Sequence, residues 1–97
     1  MHKLLVLYPP QPNPEKFKTY YVDVHMPLVA KIPGLQTYRY SFSVEGPFFC
    51  VFEAEFADGA ALGAGMASAE GQAAVADVPN FAEGAPTIVN YRIDGTL

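Results

Sequence analysis

The hydrophobic pattern of the chain alternates between the two-residue period of a strand and the 3.6-residue period of a helix, and this order restricts the fold more than any other feature. Residues 3–8 form an apolar run that predicts a strand near the centre of a sheet, buried on both faces. The four prolines within residues 9–14 end this strand, because proline lacks the amide donor that a sheet requires. Asn13 and Pro14 then have the residue types of a helix N-cap and a first helical position.

The first predicted helix begins at Pro14 and ends before the Pro33-Gly34 pair. Its buried stripe is predicted from the apolar residues that recur at helical spacing, which are Phe17, Tyr21, Val24 and Leu28. Pro27 lies inside this helix and removes one backbone hydrogen bond. The residue before a proline is disfavoured in helical geometry, so Met26 is expected to leave it. We therefore expect a kink or break over residues 25–27.

The second half of the chain predicts a hairpin, a divided helix and a last strand. The predicted strands cover residues 35–44, 48–56 and 87–93. Asp58 is expected to cap an alanine-rich helical region in which several glycines weaken the helix. We expect one helical piece that ends near Met66 and a second that starts at Ser68.

The resulting order, β-α-β-β-α-β, predicts an α+β fold. It is the ferredoxin-like βαββαβ arrangement with a four-stranded antiparallel sheet, formed as a single domain by residues 1–97. Right-handed crossovers place both helical regions on one side of the sheet and leave the other side bare. Tyr and Phe side chains of both hairpin strands are candidates for this bare face. Because a monomer seldom exposes a large apolar face, we expect two sheets to pack face to face in a homodimer.

Composition and spacing argue against several classes of function. A net charge of −4 with six basic residues does not favour nucleic acid as a partner. A single cysteine leaves no internal disulfide, and the two histidines have no ligands at metal-site spacing. The glycines form neither a phosphate loop nor a dinucleotide fingerprint, so we expect no cofactor. The apolar run at the start is too short for a signal peptide or a membrane span, which predicts no membrane association and a cytoplasmic location.

His25 is the first candidate for chemistry. On a helical wheel it lies about 60° from the middle of the apolar stripe, at an edge from which it can reach a cleft between helix and sheet. Tyr21 lies one turn earlier on the same side. An imidazole exchanges protons near neutral pH, and a phenol can hold a carbonyl oxygen. An inert histidine that hydrogen-bonds the broken turn fits the same pattern.

Further candidates depend on what the fold brings together. Tyr38 and Tyr40 share a strand face and are predicted either to bind substrate or to form dimer core. Asp77 is predicted either to orient a histidine or substrate hydroxyl, or to remain exposed at a helix terminus. Tyr20 is predicted either to pack or to line a pocket, and Cys50 to pack as a small buried hydrophobe.

Several segments resemble the EthD-domain family. The matching segments are FKTYYVDVHMPLV (residues 17–29), IPGL (32–35) and SAEGQ (68–72), followed by Asp77, Asn80 and Phe81. The resemblance spans essentially the whole chain and implies a member of the dimeric α+β barrel superfamily, whose sheet packs on that of a second protomer. Tyr21 and His25 match the recurring tyrosine and histidine of this family, which implies that they are catalytic, with Asp77 as a third candidate.

The residues and the resemblance together give three hypotheses of function. The first is a cofactor-free enzyme or enzyme accessory that acts on an apolar, oxygen-bearing small molecule, with His25 as the proton-transfer residue and Tyr21 orienting it or the substrate. The resemblance implies an oxidoreductase role in the degradation of organic compounds, or an isomerase-like or cyclase-like reaction. The second is a non-catalytic binding or carrier module for a neighbouring monooxygenase. The third is a structural dimer without a ligand site.

Overall fold

The computed structural model describes residues Met1–Leu97 and has the predicted order of strands and helices. The elements are β1 (His2–Tyr8), α1 (Pro14–Tyr20), a π-helical turn (Tyr21–His25), α2 (Met26–Val29), β2 (Thr37–Ser41), β3 (Cys50–Phe56), α3 (Gly59–Ala67), α4 (Ala69–Asp77), a 3₁₀ turn (Val78–Asn80) and β4 (Thr87–Arg92). The prediction of a ferredoxin-like α+β fold is confirmed. None of the helices has the length and apolar character needed to cross a membrane.

The sheet has the strand order β2-β3-β1-β4, and every neighbouring pair is antiparallel. β1 lies inside the sheet, as its apolar sequence predicts. Its partners on the two sides of Leu4 are Ala54 and Asn90. The hairpin of β2 and β3 is also confirmed, with Tyr38 opposite Ala54.

Side-chain caps start the helices where the sequence predicts them. The Asn13 side chain accepts a hydrogen bond from the Lys16 amide at 3.2 Å. The Asp58 side chain accepts one from the Ala61 amide at 2.7 Å. Ser68 ends α3 and caps α4, so the alanine-rich region is divided as expected. Each cap satisfies an amide that has no partner within its own helix.

The π-helical turn corrects the predicted stripe of the first helix. Its wider hydrogen-bond spacing joins the Met26 amide to the Tyr21 carbonyl and adds one residue to the turn. One extra residue rotates those that follow by about 100°. Val24 is therefore 41% exposed, whereas His25 is only 4% exposed. The expected departure of Met26 from helical geometry is wrong, because its φ of −62° and ψ of −39° are helical and the turn itself accommodates Pro27.

The core lies between the helices and one face of the sheet. Strand residues at alternate positions point into it, and Tyr21 and Phe17 meet them from the helical side. The expectation that hairpin aromatics occupy the bare face is wrong, because Tyr38, Tyr40 and Phe52 face the helices. Alternation and register instead give the bare face an apolar strip made of Leu5, Leu7, Val51, Val89 and Tyr91.

Candidate functional site

A cavity of about 500 Å³ lies between the helices and the sheet, within the size range of small-molecule sites. Its walls are mostly apolar and come from β1, β3, α4 and the loop that leads into β4. Ile88 of β4 forms part of the wall and is 62% exposed, so the cavity opens to solvent over this strand. The polar side chains in the wall are His25, Tyr8 and Tyr21.

His25 reaches the cavity because it is the last residue of the π-helical turn. An unbroken α-helix would place it at the edge of the stripe, but the added residue turns its imidazole toward the sheet. The ring packs against Phe81, with 4.6 Å between ring centroids, and against Tyr21 at 5.4 Å. These contacts hold the imidazole in place while one of its edges remains at the cavity.

Asp77 lies at the end of α4 and is only 8% exposed, so the expectation of an exposed terminal residue is wrong. Its Oδ2 lies 3.0 Å from Nδ1 of His25. Its Oδ1 accepts a hydrogen bond from the Tyr20 hydroxyl at 2.6 Å and another from Nδ2 of Asn80 at 3.0 Å. The geometry matches the orienting alternative for Asp77, which stays a prediction as a functional role.

The charge of Asp77 determines which nitrogen of His25 carries the proton. Burial raises the pKa of Asp77, but the hydrogen bonds from Tyr20, Asn80 and His25 lower it by more, so the carboxyl is ionised. A carboxylate only accepts hydrogen bonds, so Nδ1 of the neutral imidazole is the donor. The lone pair is then on Nε2, which has no partner in the chain and is not sealed from solvent.

Burial lowers the pKa of His25, and Asp77 opposes this shift only in part. The ring is therefore neutral at pH 7, with its basic nitrogen free. A neutral imidazole oriented by a carboxylate is an arrangement that can remove a proton from a bound molecule.

Tyr20 makes a contact in the site that the sequence prediction missed. Packing was one of the two expected roles, and its ring does stack on Phe81 at 5.6 Å, but its hydroxyl also donates a hydrogen bond to Asp77. This hydrogen bond raises the pKa of Tyr20, because ionisation would place a second negative charge beside the carboxylate. No sequence signal joins Tyr20 to a residue at the far end of α4.

Tyr21 is fully buried, and its ring forms part of the cavity wall. Its hydroxyl is buried without a hydrogen-bond partner, and burial strongly raises its pKa. The structure therefore places Tyr21 beside His25, as predicted, but with its hydroxyl away from the open part of the cavity. Its contact with the imidazole is through the ring.

The remaining candidates lie outside the cavity wall. Tyr38 stacks on Phe52 at 5.9 Å, and Tyr40 contacts the ring of Tyr21 at 5.3 Å. Cys50 is completely buried, as predicted, and burial raises the pKa of its thiol to about 12. No three His, Cys, Asp or Glu side chains lie close enough together to form a set of metal ligands.

The EthD domain model matches residues 10–85, most of the chain and all of the helical site. The chain belongs to the EthD family. One relative is an uncharacterized 11.0 kDa protein in the thcB-thcC intergenic region of Rhodococcus erythropolis. It is 32% identical to this chain over 94 residues, which cover 92% of this chain and 91% of that protein. The crystal structure of an EthD family protein from Bacillus halodurans superimposes with a TM-score of 0.89 at 30% identity, covering 96% of this chain and 98% of that one.

Two more distant structures share the fold. SnoaB from Streptomyces nogalater, described as a cofactor-independent oxygenase, gives a TM-score of 0.74 at 12% identity and covers 99% of this chain and 95% of its own. A dimeric ferredoxin-like protein of unknown function from Thermobifida fusca gives 0.66 at 17% identity, with 95% and 90% covered. At these identities the likeness concerns the fold.

Proposed function

We propose that this EthD protein is a small enzyme that removes a proton from an apolar, oxygen-bearing molecule, using its own side chains as the proton-transfer machinery. The observation that carries the proposal is the His25–Asp77 pair, in which a neutral imidazole faces an apolar cavity with its basic nitrogen free. A carrier needs the cavity but has no use for an oriented base.

In the proposed reaction, Nε2 of His25 takes a proton from a carbon next to a carbonyl group, or from a phenolic hydroxyl. The electrons of the broken bond move toward the oxygen and give an enolate or phenolate. Asp77 stabilises the imidazolium that forms, and Tyr20 and Asn80 keep the carboxylate in position. Tyr21 supports the imidazole through ring contact. Return of the proton to a different atom completes an isomerisation.

The apolar wall supports an apolar substrate. Such a substrate gains free energy when its surface leaves water, and the wall offers few partners for polar groups. An enolate or phenolate is also the electron-rich form that reacts with molecular oxygen. SnoaB is described as a cofactor-independent oxygenase, which supports a similar oxidoreductase role here.

We propose that the active form is a homodimer whose two protomers pack through the bare face of the sheet. Val89 and Tyr91 of its apolar strip are 41% and 42% exposed, and a related fold is described as dimeric. A Val89→Lys variant should dissociate in sedimentation-velocity runs. The matched Val22→Lys variant changes a valine of similar exposure, 42%, on the helical side and should remain dimeric. Dissociation of both, or of neither, would contradict this interface.

Deuterium exchange tests the proposed chemistry without knowledge of the natural substrate. The probe is 2-tetralone, an apolar enolisable ketone, in D₂O, and proton NMR follows the loss of its α-hydrogens. The protein should accelerate exchange above the buffer rate, and His25→Ala should lose about 100-fold or more of this acceleration. His2→Ala removes the other histidine, which bonds Asn90 at 2.8 Å outside the cavity, and serves as the matched control.

The same experiment separates enzyme from carrier. Saturable binding of the ketone without accelerated exchange would identify a carrier and refute the proposed base. Absence of binding for a panel of aromatic ketones and phenols would favour the structural dimer. Accelerated exchange that His25→Ala leaves unchanged would assign the base to another residue.

A further inference from the structure

Tyr8 is a polar residue of the cavity wall for which no functional role was predicted. It ends β1 and is 2% exposed. Its ring is fixed by edge contacts with Phe17 at 5.3 Å and Tyr21 at 5.9 Å. Rigid support on several sides gives its hydroxyl a defined position.

The hydroxyl of Tyr8 makes no hydrogen bond within the chain. Tyr21 has the single buried side-chain polar atom that is both unpartnered and sealed from solvent. The hydroxyl of Tyr8 is also unpartnered, but it is not sealed from solvent. Part of its surface is therefore accessible to a small molecule. Because Tyr8 is almost wholly buried and lines the cavity, that surface belongs to the cavity. A buried hydroxyl without a partner costs free energy, and a hydrogen bond to a ligand oxygen offsets this cost.

Tyr8 and the His25–Asp77 pair lie at the same end of the cavity. Phe81 contacts both, with 5.8 Å to the ring of Tyr8 and 4.6 Å to that of His25. Burial raises the pKa of Tyr8, and the negative charge of Asp77 adds to this effect. The phenol therefore keeps its proton and acts as a donor at neutral pH.

From this arrangement we infer that the Tyr8 hydroxyl donates a hydrogen bond to the oxygen of the substrate, next to the atom that His25 deprotonates. The substrate class is then an enolisable ketone or a phenol with an otherwise apolar skeleton. When Nε2 takes the proton, the electron pair of the C–H or O–H bond moves onto this oxygen, and the donated hydrogen bond stabilises the added negative charge. The catalytic part of this inference rests on the proposed function, whereas the hydrogen bond to a bound oxygen does not depend on it.

Paired probes test the contact directly. 2-Tetralone and tetralin have nearly the same shape, and only the ketone accepts a hydrogen bond. Tyr8→Phe removes an unpartnered hydroxyl and leaves the ring packing intact, so the variant should fold normally. Its affinity for 2-tetralone should fall about three- to tenfold, while its affinity for tetralin stays the same. Tyr91→Phe, which removes a hydroxyl on the bare face, is the matched control.

The exchange rate provides the second readout. Tyr8→Phe should lower kcat for α-hydrogen exchange by more than it raises KM, because the hydrogen bond strengthens as negative charge develops. Equal losses of affinity for both probes, or no loss for the ketone, would overturn the inference. It is also overturned if Tyr21→Phe, rather than Tyr8→Phe, removes the preference for the ketone.

The two proposals fail separately. If the wild-type protein prefers the ketone through Tyr8 but does not accelerate exchange, the oxygen contact stands and the proposed base does not. If His25→Ala abolishes exchange and Tyr8→Phe changes neither affinity nor kcat, the base stands and the inference is wrong.

Discussion

Replacement of Asp77 by asparagine tests the electrostatic core of the site with a change of one atom. Oδ1 accepts the hydrogen bonds of Tyr20 and Asn80, whereas Oδ2 faces Nδ1 of His25 alone at 3.0 Å. Asparagine can keep its oxygen at the Oδ1 position and place its amide nitrogen at the Oδ2 position. The amide nitrogen is a donor, so Nδ1 of His25 has to become the acceptor.

The neutral imidazole then carries its proton on Nε2, and the cavity loses its base. We expect the α-hydrogen exchange of 2-tetralone to slow by about 10² to 10⁴ in Asp77→Asn. The free energy of unfolding should decrease by about 1 to 3 kcal/mol, because the three hydrogen bonds that the charged carboxylate accepts become neutral ones. Loss of the carboxylate also removes the group that raises the pKa of His25, so this pKa should fall further.

Nitrogen-15 NMR of the histidine side chains provides the direct assay. The wild-type spectrum should show Nδ1 of His25 protonated at pH 7, and the variant should show Nε2 protonated. Asp94→Asn, a change at an exposed carboxylate that pairs with Arg92, is the matched control and should alter neither the tautomer nor the rate. An unchanged tautomer, together with an exchange rate within about twofold of wild type, would refute the reasoning.

Three further predictions concern pH, packing and the rim of the cavity. The pKa of His25 is lowered by burial, so the unfolded chain binds more protons than the folded protein just below pH 6.5. The contribution of neutral His25 to stability is complete above pH 6.5 and is lost as the pH falls through the folded pKa. The urea midpoint should decrease over this range, and an equal decrease in His25→Gln would contradict the prediction. An alanine at Gly71 would place its Cβ against the Gly65 carbonyl oxygen and 2.8 Å from the backbone of Met66, both in α3, and should destabilise by about 1 to 3 kcal/mol in urea melts. Gly63→Ala, with nothing within 4 Å, should instead stabilise by about 0.5 to 1 kcal/mol, and similar effects at both sites would rule out the packing explanation. Gln11 bonds the backbone N–H and C=O of Glu83 at 3.0 and 3.1 Å, so Gln11→Ala should speed hydrogen exchange in this rim loop about fivefold, and unchanged exchange would show that the loop is held elsewhere.

Local rules explain why so much of the fold could be predicted. The period of the apolar residues, the caps at Asn13, Asp58 and Ser68, and the prolines act within a few residues of one another. The fold follows because few topologies connect such elements with right-handed crossovers. His25 was also found from local spacing.

The prediction was wrong wherever a distant contact or an unusual turn decides the outcome. The spacing rule for helices assumes 3.6 residues per turn, so a π-helical turn exchanges the positions of Val24 and His25 relative to the core. The face to which the hairpin aromatics point depends on strand register, and alternation alone leaves both faces open.

The chain by itself therefore determined its secondary structure, its topology and one candidate base, because short-range sterics and hydrophobic periodicity encode them. Only the tertiary structure decided that Asp77 and Tyr20, 57 residues apart, form one hydrogen-bonded group behind His25. It also decided which tyrosine hydroxyl faces the cavity and which is sealed. Hydrogen bonds and burial depend on positions in space, and packing of the helices on the sheet sets those positions.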